Sequence, residues 1–458
     1  MNVHNHSSPT TKTLVVLESG ERPPARLHGR EELAEIGQQI RFDAGILDSF
    51  DVAGCLSRHF DLLVVCAAIE LADRRWGRPR AWSRNFNLRI PVIDLERWQK
   101  PAVAHGLRRA LGFLTGDNWQ FTFVRAKNGS PIGMRQIPLG FDKTKKFAIA
   151  YSDGLDSRAV TSLSGGEDEA LCIRVAGTHQ RRQKGDSPFE RIPFDTRDYR
   201  QNESSFRSRS FKFAAITAMA AQLYQVSRIV VPESGQGALG PAILPLHNIY
   251  ADYRNHPAFF RRMEQFLHAL LDWSVKFEQP RLWYTKGQTL RDFRLLPGKT
   301  NLDLTQTHSC WQTRRIVNDG YRRQCGLCAA CLLRRQSLHA AGIKEDSGTY
   351  VVRDLNEASI AAALTTAVAD KADRDIMIAY GSAGARHLQH LADLADQPDK
   401  TLHTHASQIA IATGETCDET TRRLSVMLSV HAEEWRAFRS DLGGNSFLNS
   451  WMDGGRNG

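Results

Sequence analysis

The spacing of apolar positions changes character near residue 146. Before it, Asp61–Asp73 (DLLVVCAAIELAD) is apolar on most faces and predicts a buried helix, closed by the basic, Trp- and Pro-bearing segment Arg74–Trp82. Asn85–Val92 alternates, with Phe86, Leu88 and Ile90 on one face, and Trp119–Val124 does the same with Trp119, Phe121 and Phe123. Alternation with period two marks half-buried strands, so the two segments are expected to pair in a small α/β domain ending near Gly140. The aromatic stripe reads as core-facing rather than as a base-stacking platform.

From Lys146 onward strands alternate with helices, the pattern of a parallel sheet with crossover connections. Phe147–Tyr151 predicts a buried strand, Ser152-Asp153-Gly154-Leu155-Asp156-Ser157 a tight polar turn, and Arg158–Leu163 a helix. Ala170–Val175 is a second strand, followed by Gly177-Thr178-His179. Ser210–Gln225 is a helix, and Arg228–Val231 a third strand with the loop Pro232–Gly237 at its carboxyl end. Phe259–Phe277 predicts a further helix, and Lys286-Gly287-Gln288 opens a loop-rich stretch. Ligands of open parallel sheets bind beside the carboxyl ends of the strands, so the opening turn, Gly177–His179 and Glu233–Gly237 are expected on one rim. Beyond Gly342 the chain turns Ala-rich and helical. Leu424, Met427 or Leu428, His431, Trp435 and Phe438 share a face there, with His431 as a packed residue rather than a ligand.

A strand, a polar turn and a helix together aim backbone N–H groups at whatever sits over the helix N-terminus, where the macrodipole favours an anion such as phosphate. A nucleotide is the obvious ligand. The alternative is an ordinary turn in which Asp156 or Ser157 only caps the helix.

Composition narrows the class. A chain of 458 residues exceeds one ordinary core, so two or three domains are expected. No apolar run reaches the roughly 18 residues of a membrane span, and Met1–Lys12 lacks the apolar core of a signal peptide; the expectation is a cytoplasmic protein with no membrane partner. The formal charge of +10 is spread over pairs such as Arg74-Arg75, Arg314-Arg315 and Arg334-Arg335. A diffuse excess suits an anionic small ligand or an acidic partner, with nucleic acid second.

Of eight cysteines, Cys310, Cys325, Cys328 and Cys331 cluster in SCWQTRRIVNDGYRRQCGLCAACLLRR. Two CxxC steps sharing Cys328 put three thiols within one turn, Gly326 permits the bend, and Cys310 returns as a fourth. Four thiolates at this spacing make a closed structural zinc site, with an iron–sulfur cluster as the rival. Neighbouring arginines are expected to complement the anionic centre.

The turn Ser152–Ser157 resembles the PP-loop (SGGxDS) of the N-type ATP pyrophosphatases, and the late cysteine cluster followed by Leu332-Leu333-Arg334-Arg335 resembles the zinc knuckle of QueC, the 7-cyano-7-deazaguanine synthase family. The similarity covers roughly residues 147–342. The long form, with LTGDNW near residue 115, ESGQGALGP at Glu233 and TKGQTL at Thr285, resembles the QueC-like proteins of prokaryotic antiviral systems, the QatC group in particular. The resemblance implies a doubly wound α/β fold of the PP-loop type over residues 141–343, carrying the zinc knuckle, with an N-terminal α/β extension (1–140) and a C-terminal helical extension (344–458). It implies an ATP-dependent ligase that adenylates 7-carboxy-7-deazaguanine, with Zn²⁺, Mg²⁺ and ATP. The amide so formed would go to the N-terminus of a partner protein from the same defence operon, in a complex or homodimer. The alternatives are nitrile synthesis for queuosine-type tRNA modification and an inactive nucleotide-binding scaffold.

By the same resemblance Ser152, Gly154, Leu155 and Ser157 cradle the pyrophosphate, and Asp156 holds Mg²⁺ or orders the loop. Val175 joins the ATP-binding set, and Asp156, Ser157 and Lys286 form the catalytic group. Asp153 stands where the family has glycine, so its carboxylate must face away from phosphate or help bind Mg²⁺. Arg207, Arg209 and Lys286 are implied contacts for phosphate or carboxylate. Glu233 or Gln236 would read the guanine-like edge, and His179 and His308 would be accessory.

Overall fold

Two sheets organise the chain as far as Glu278 in this computed structural model, which describes residues 10–23, 31–42, 57–79, 82–128, 144–152, 154–176, 190–196, 201–245, 250–311, 323–364 and 371–453. The strands are β1 (Lys12–Leu17), β2 (Glu31–Glu35), β3 (Arg41–Phe42), β4 (Asn85–Val92) and β5 (Asn118–Arg125), then β6 (Phe147–Ala150), β7 (Ala170–Ala176), β8 (Glu190–Asp195), β9 (Arg228–Val230) and β10 (Lys276–Glu278). The first sheet has the order β2-β1-β4-β5, and every pair in it is parallel. The second has the order β10-β9-β6-β7-β8-β3, parallel except where β3 meets β8. This is a mixed α/β protein with parallel sheets, the arrangement of a Rossmann-type, PP-loop-like fold.

The alternating segments Asn85–Val92 and Trp119–Val124 do pair, in a register that sets Phe86 beside Trp119 and Ile90 beside Phe123. Their parallel direction requires a crossover, supplied by the helix Pro101–Thr115, which starts at a proline and ends at the left-handed Gly116. Trp119 and Phe123 are buried, so the aromatic stripe faces the core. Phe86 and Trp119 stack with ring centroids 4.4 Å apart.

The chain divides into two compact units. The first comprises Met1–Tyr151, Gly165–Val231 and His247–Glu278, and the second Ser152–Ser164, Pro232–Leu246 and Gln279–Gly458. In the first unit one apolar cluster runs from Leu14 and Val16 through Leu63 and Phe86 to Ile173, Ile216 and Phe277. Strands on either side of residue 140 therefore share a core, and the division expected there does not part the units. The second unit is helical, and the division expected at 343 falls inside it: Leu327 and Leu332 pack in the same cluster as Leu388 and Trp435.

Three expected elements differ. The helix read as Phe259–Phe277 is Pro257–Leu271, because Asp272 adopts φ 53° and closes it. Arg58 and Arg97 hold the Asp272 carboxylate, and the chain then extends into β10. The loop read as Pro232–Gly237 becomes helical at Gly235. The stretch opening at Lys286 is no loop but the helix Lys286–Arg294. No helix among the described residues is long and apolar enough to cross a membrane.

Candidate functional site

The second unit begins with the polar turn. Ser157 Oγ accepts from Ser152 N at 3.2 Å and lies 2.9 Å from Ser152 Oγ, which accepts from Gly154 N at 3.2 Å. The two hydroxyls close the turn on itself. Gly154 is the extended cap of the helix Leu155–Leu163 and offers no side chain to its first N–H groups, so those donors stay available to an anion. Leu155 is buried with Ala159, Leu290, Phe293 and Leu338, which makes its side chain an anchor and leaves its backbone for any ligand. Asp156 stands in the first helical turn, where the dipole favours a carboxylate.

Lys286 meets Asp156 there. Its Nζ lies 2.6 Å from Asp156 Oδ2 and 3.9 Å from Glu233 Oε1, with the Lys286 and Asp156 side chains only 10% and 17% exposed. Burial pulls the ammonium pKa down, but Asp156 and Glu233 outweigh it and hold the group above its ordinary value, so it is a fixed cation at neutral pH. Thr285 caps the Lys286–Arg294 helix by accepting from Gln288 N (3.0 Å), while Gln288 Oε1 accepts from Thr285 N (2.8 Å). Thr285 and Gln288 thus form a capping box, a signal legible in the sequence that reading Lys286 as a loop passed over.

A third helix start joins these two. Gly235 N donates to Tyr284 O at 2.9 Å, and Gln236 Oε1 accepts from Lys286 N at 2.7 Å. Gln236 is buried, and its Nε2 lies 2.9 Å from His431 Nδ1. The starts of the helices Leu155–Leu163, Gly235–Ile243 and Lys286–Arg294 therefore surround one buried ammonium. Asp156 Oδ1 and, at the start of the second of these helices, Ser234 Oγ are buried without a hydrogen-bond partner among the described residues. Buried polar atoms are ordinarily paired, so these two mark where a ligand or water completes the site. An orphaned carboxylate oxygen is also the donor a Mg²⁺ ion would take.

The four cysteines form a second centre in this unit. Their sulfur atoms all lie within 4.8 Å of one another, with Cys325 and Cys331 at 3.7 Å. Zn–S bonds of about 2.3 Å place tetrahedral sulfurs about 3.8 Å apart, so the set fits a closed zinc site. Cys325 N donates to Cys310 Sγ at 3.2 Å, and Cys328 N to Cys325 Sγ at 3.2 Å, which favours thiolates. Gly326 has φ 86°, and a Cβ there would lie 2.7 Å from Val352 O and 3.2 Å from Tyr350 Cβ. Of the neighbouring arginines, Arg335 lies within Coulombic reach of Cys331. Arg334 pairs with Glu345 at 2.6 Å and reaches Thr307 Oγ1 and Leu304 O, while Arg335 donates to the carbonyls of Val352 and Arg353. Both bind the loop segments around the knuckle. Ser309 N donates to Gln324 Oε1 at 2.8 Å, and the His308 carbonyl passes the turn at Gly154, where a Cβ would lie 4.0 Å from it. The cysteine centre thus fixes a segment that borders the turn.

Of the other expected residues, Val175, Arg207 and Arg209 belong to the first unit. Val175 is in β7 of the first unit, paired in register with Ile192. Arg207, also in the first unit, is buried, 3.5 Å from Asp252 and stacked over Trp82, and Arg209 lies over Phe213. Asp153 and Gly177–His179 fall outside the described residues. Thr285, His431 and Glu434 were not singled out as site residues from the sequence.

The described residues thus join a mixed α/β fold, a cradle of helix starts and a four-cysteine knuckle. Residues 247–342 match the family model of the queuosine biosynthesis protein QueC, a stretch holding Lys286 and all four cysteines but not the turn. The chain carries a QueC family domain and is weakly homologous to 7-cyano-7-deazaguanine synthases. It is 28% identical to that of Helicobacter acinonychis (strain Sheeba) over 102 residues, 21% of this chain and 45% of the relative. With that of Caulobacter vibrioides (strain NA1000 / CB15N) it shares 32% over 76 residues, 16% and 31% of the two chains. The chain thus spans less than half the length of these relatives. No solved structure matches it.

Proposed function

We propose that this protein uses ATP to adenylate the carboxylate of a 7-deazaguanine such as 7-carboxy-7-deazaguanine and then forms a C–N bond at the activated carbonyl. The observation that carries this reading is the Lys286 ammonium, buried against Asp156 where three helix starts meet. A carboxylate is a poor electrophile, and adenylation gives it a leaving group. The barrier is then one of phosphoryl charge and alignment, which a fixed cation and oriented N–H groups lower without reorganising. Ser152 and Ser157 hold the turn that presents those N–H groups. Asp156 keeps the ammonium in place and offers Oδ1 to Mg²⁺. Zinc would be structural, its four sulfur ligands leaving no open position.

The nucleophile we propose is the N-terminal amine of a partner protein in an antiviral system, a reading supported by the resemblance of LTGDNW, ESGQGALGP and TKGQTL to the QatC group. The homology to 7-cyano-7-deazaguanine synthases favours a second reading, in which ammonia attacks and the amide is dehydrated to the nitrile. Pyrophosphate release from ATP, dependent on 7-carboxy-7-deazaguanine and abolished in D156A/S157A, is expected under both; its absence leaves only a binding scaffold. Intact-mass measurement of a co-expressed partner separates them: a mass increase supports conjugation, and an unmodified partner with accumulating nitrile rejects it.

A further inference from the structure

The helices carrying Lys286 and Gln236 are held from behind by one face of the helix Cys417–Asp441. His431 on that face is fully buried, and its Nε2 lies 3.0 Å from Leu388 O, which can only accept. Nε2 therefore carries the hydrogen and Nδ1 is the acceptor. Gln236 Nε2 donates to Nδ1 at 2.9 Å, and Gln336 Nε2 lies 3.2 Å from it. With its amide N–H turned to His431, Gln236 presents Oε1 to Lys286 N. The imidazole thus sets which end of the carboxamide meets the first residue of the lysine helix.

Three residues on, Glu434 reaches the same helix by an independent route. Its Oε1 accepts from Thr285 Oγ1 and from Arg291 Nη2, each at 2.9 Å. Thr285 donates to Glu434 and so turns a lone pair toward Gln288 N, the bond that caps the helix. The residue beside Lys286 is Gly287, where a Cβ would lie 2.7 Å from Glu434 Cδ and 2.8 Å from Ala340 Cβ. Glycine leaves room for that carboxylate.

We propose that His431 and Glu434 are positioning residues for the Lys286–Asp156 pair, which makes the helix Cys417–Asp441 a working part of the candidate site rather than a separate stability module. The inference rests on the reading of that site as an ATP site. MgATP affinity is measured by calorimetry for wild type, H431L, H431N, Q236L and H431L/Q236L, with folding checked by circular dichroism. H431L is expected to weaken MgATP about tenfold, the consequence of unpairing buried donors that set the helix start. H431N keeps an acceptor near the Nδ1 position and should recover most of that loss. The double variant should be no weaker than Q236L, because His431 acts through Gln236. Wild-type affinity in folded H431L or in Q236L, an H431N that binds no better than H431L, or additive losses in the double variant overturns the proposal; Q236L decides the matter if H431L does not fold. If wild type itself binds no MgATP, the reading of the site falls and takes this inference with it, an outcome distinct from equal binding by all variants.

Discussion

Replacing Lys286 by methionine removes the cation at the centre of the site while keeping most of its volume, so the packing loss is small. What remains is a stranded carboxylate. Lys286 gives Asp156 Oδ2 its hydrogen bond, and Oδ1 has none among the described residues. Breaking a buried pair by removing one partner costs about 3–5 kcal/mol, and the 17% exposure of Asp156 puts the expected loss near the lower end. In K286M/D156N no charge is stranded, and stability should return to within about 1 kcal/mol of wild type, one ordinary hydrogen bond. Pyrophosphate release should stay down by roughly a hundredfold or more in both variants, since the transition-state charge has lost its cation in each. Urea unfolding followed by circular dichroism reads the first quantity, and a coupled pyrophosphate assay the second. A K286M protein within about 0.5 kcal/mol of wild type would refute the burial argument. A double variant that regains turnover would refute the role of the charge.

Burial pushes the pKa of both His431 and His256 down to about 4 from 6.5, with His387 adding to the effect at His431 and Arg262 at His256. Their contribution is complete above pH 6.5 and lost as pH falls toward 4, about 3 kcal/mol for each histidine at full protonation. Denaturation curves that match at pH 7 and pH 4.5 would contradict this. Purified protein is expected to carry one zinc per chain with no visible absorption band, and C328S to lose it with a lower Tm; elemental analysis showing iron would mean a cluster instead. G326A should cost about 1–3 kcal/mol and weaken metal retention, because a Cβ meets Val352 O and the left-handed φ disfavours alanine. Unchanged stability in G326A would show that the turn relaxes freely.

The local elements were legible in the sequence. Alternation at Asn85–Val92 and Trp119–Val124 marked strands, because side chains two residues apart must share a face whatever the rest of the chain does. The turn Ser152–Ser157 and the spacing of Cys325, Cys328 and Cys331 identified themselves for the same reason: their chemistry is contained within a few residues. The helix end at Asp272 was not legible, because it depends on Arg58 and Arg97 from distant parts of the chain. Nor could periodicity tell that strands before residue 140 and after residue 146 fill one core, since an apolar face specifies burial but not the partner that covers it. Tertiary structure alone brought His431 to Gln236 across 195 positions and Glu434 to Thr285 across 149. Sequence determined that a polar strand-to-helix turn and a four-cysteine cluster exist here. Only the packing of helix against helix decided that the Lys286 ammonium meets Asp156 and which residues hold it there, because such contacts depend on shape and buried polar pairing rather than on any pattern along the chain.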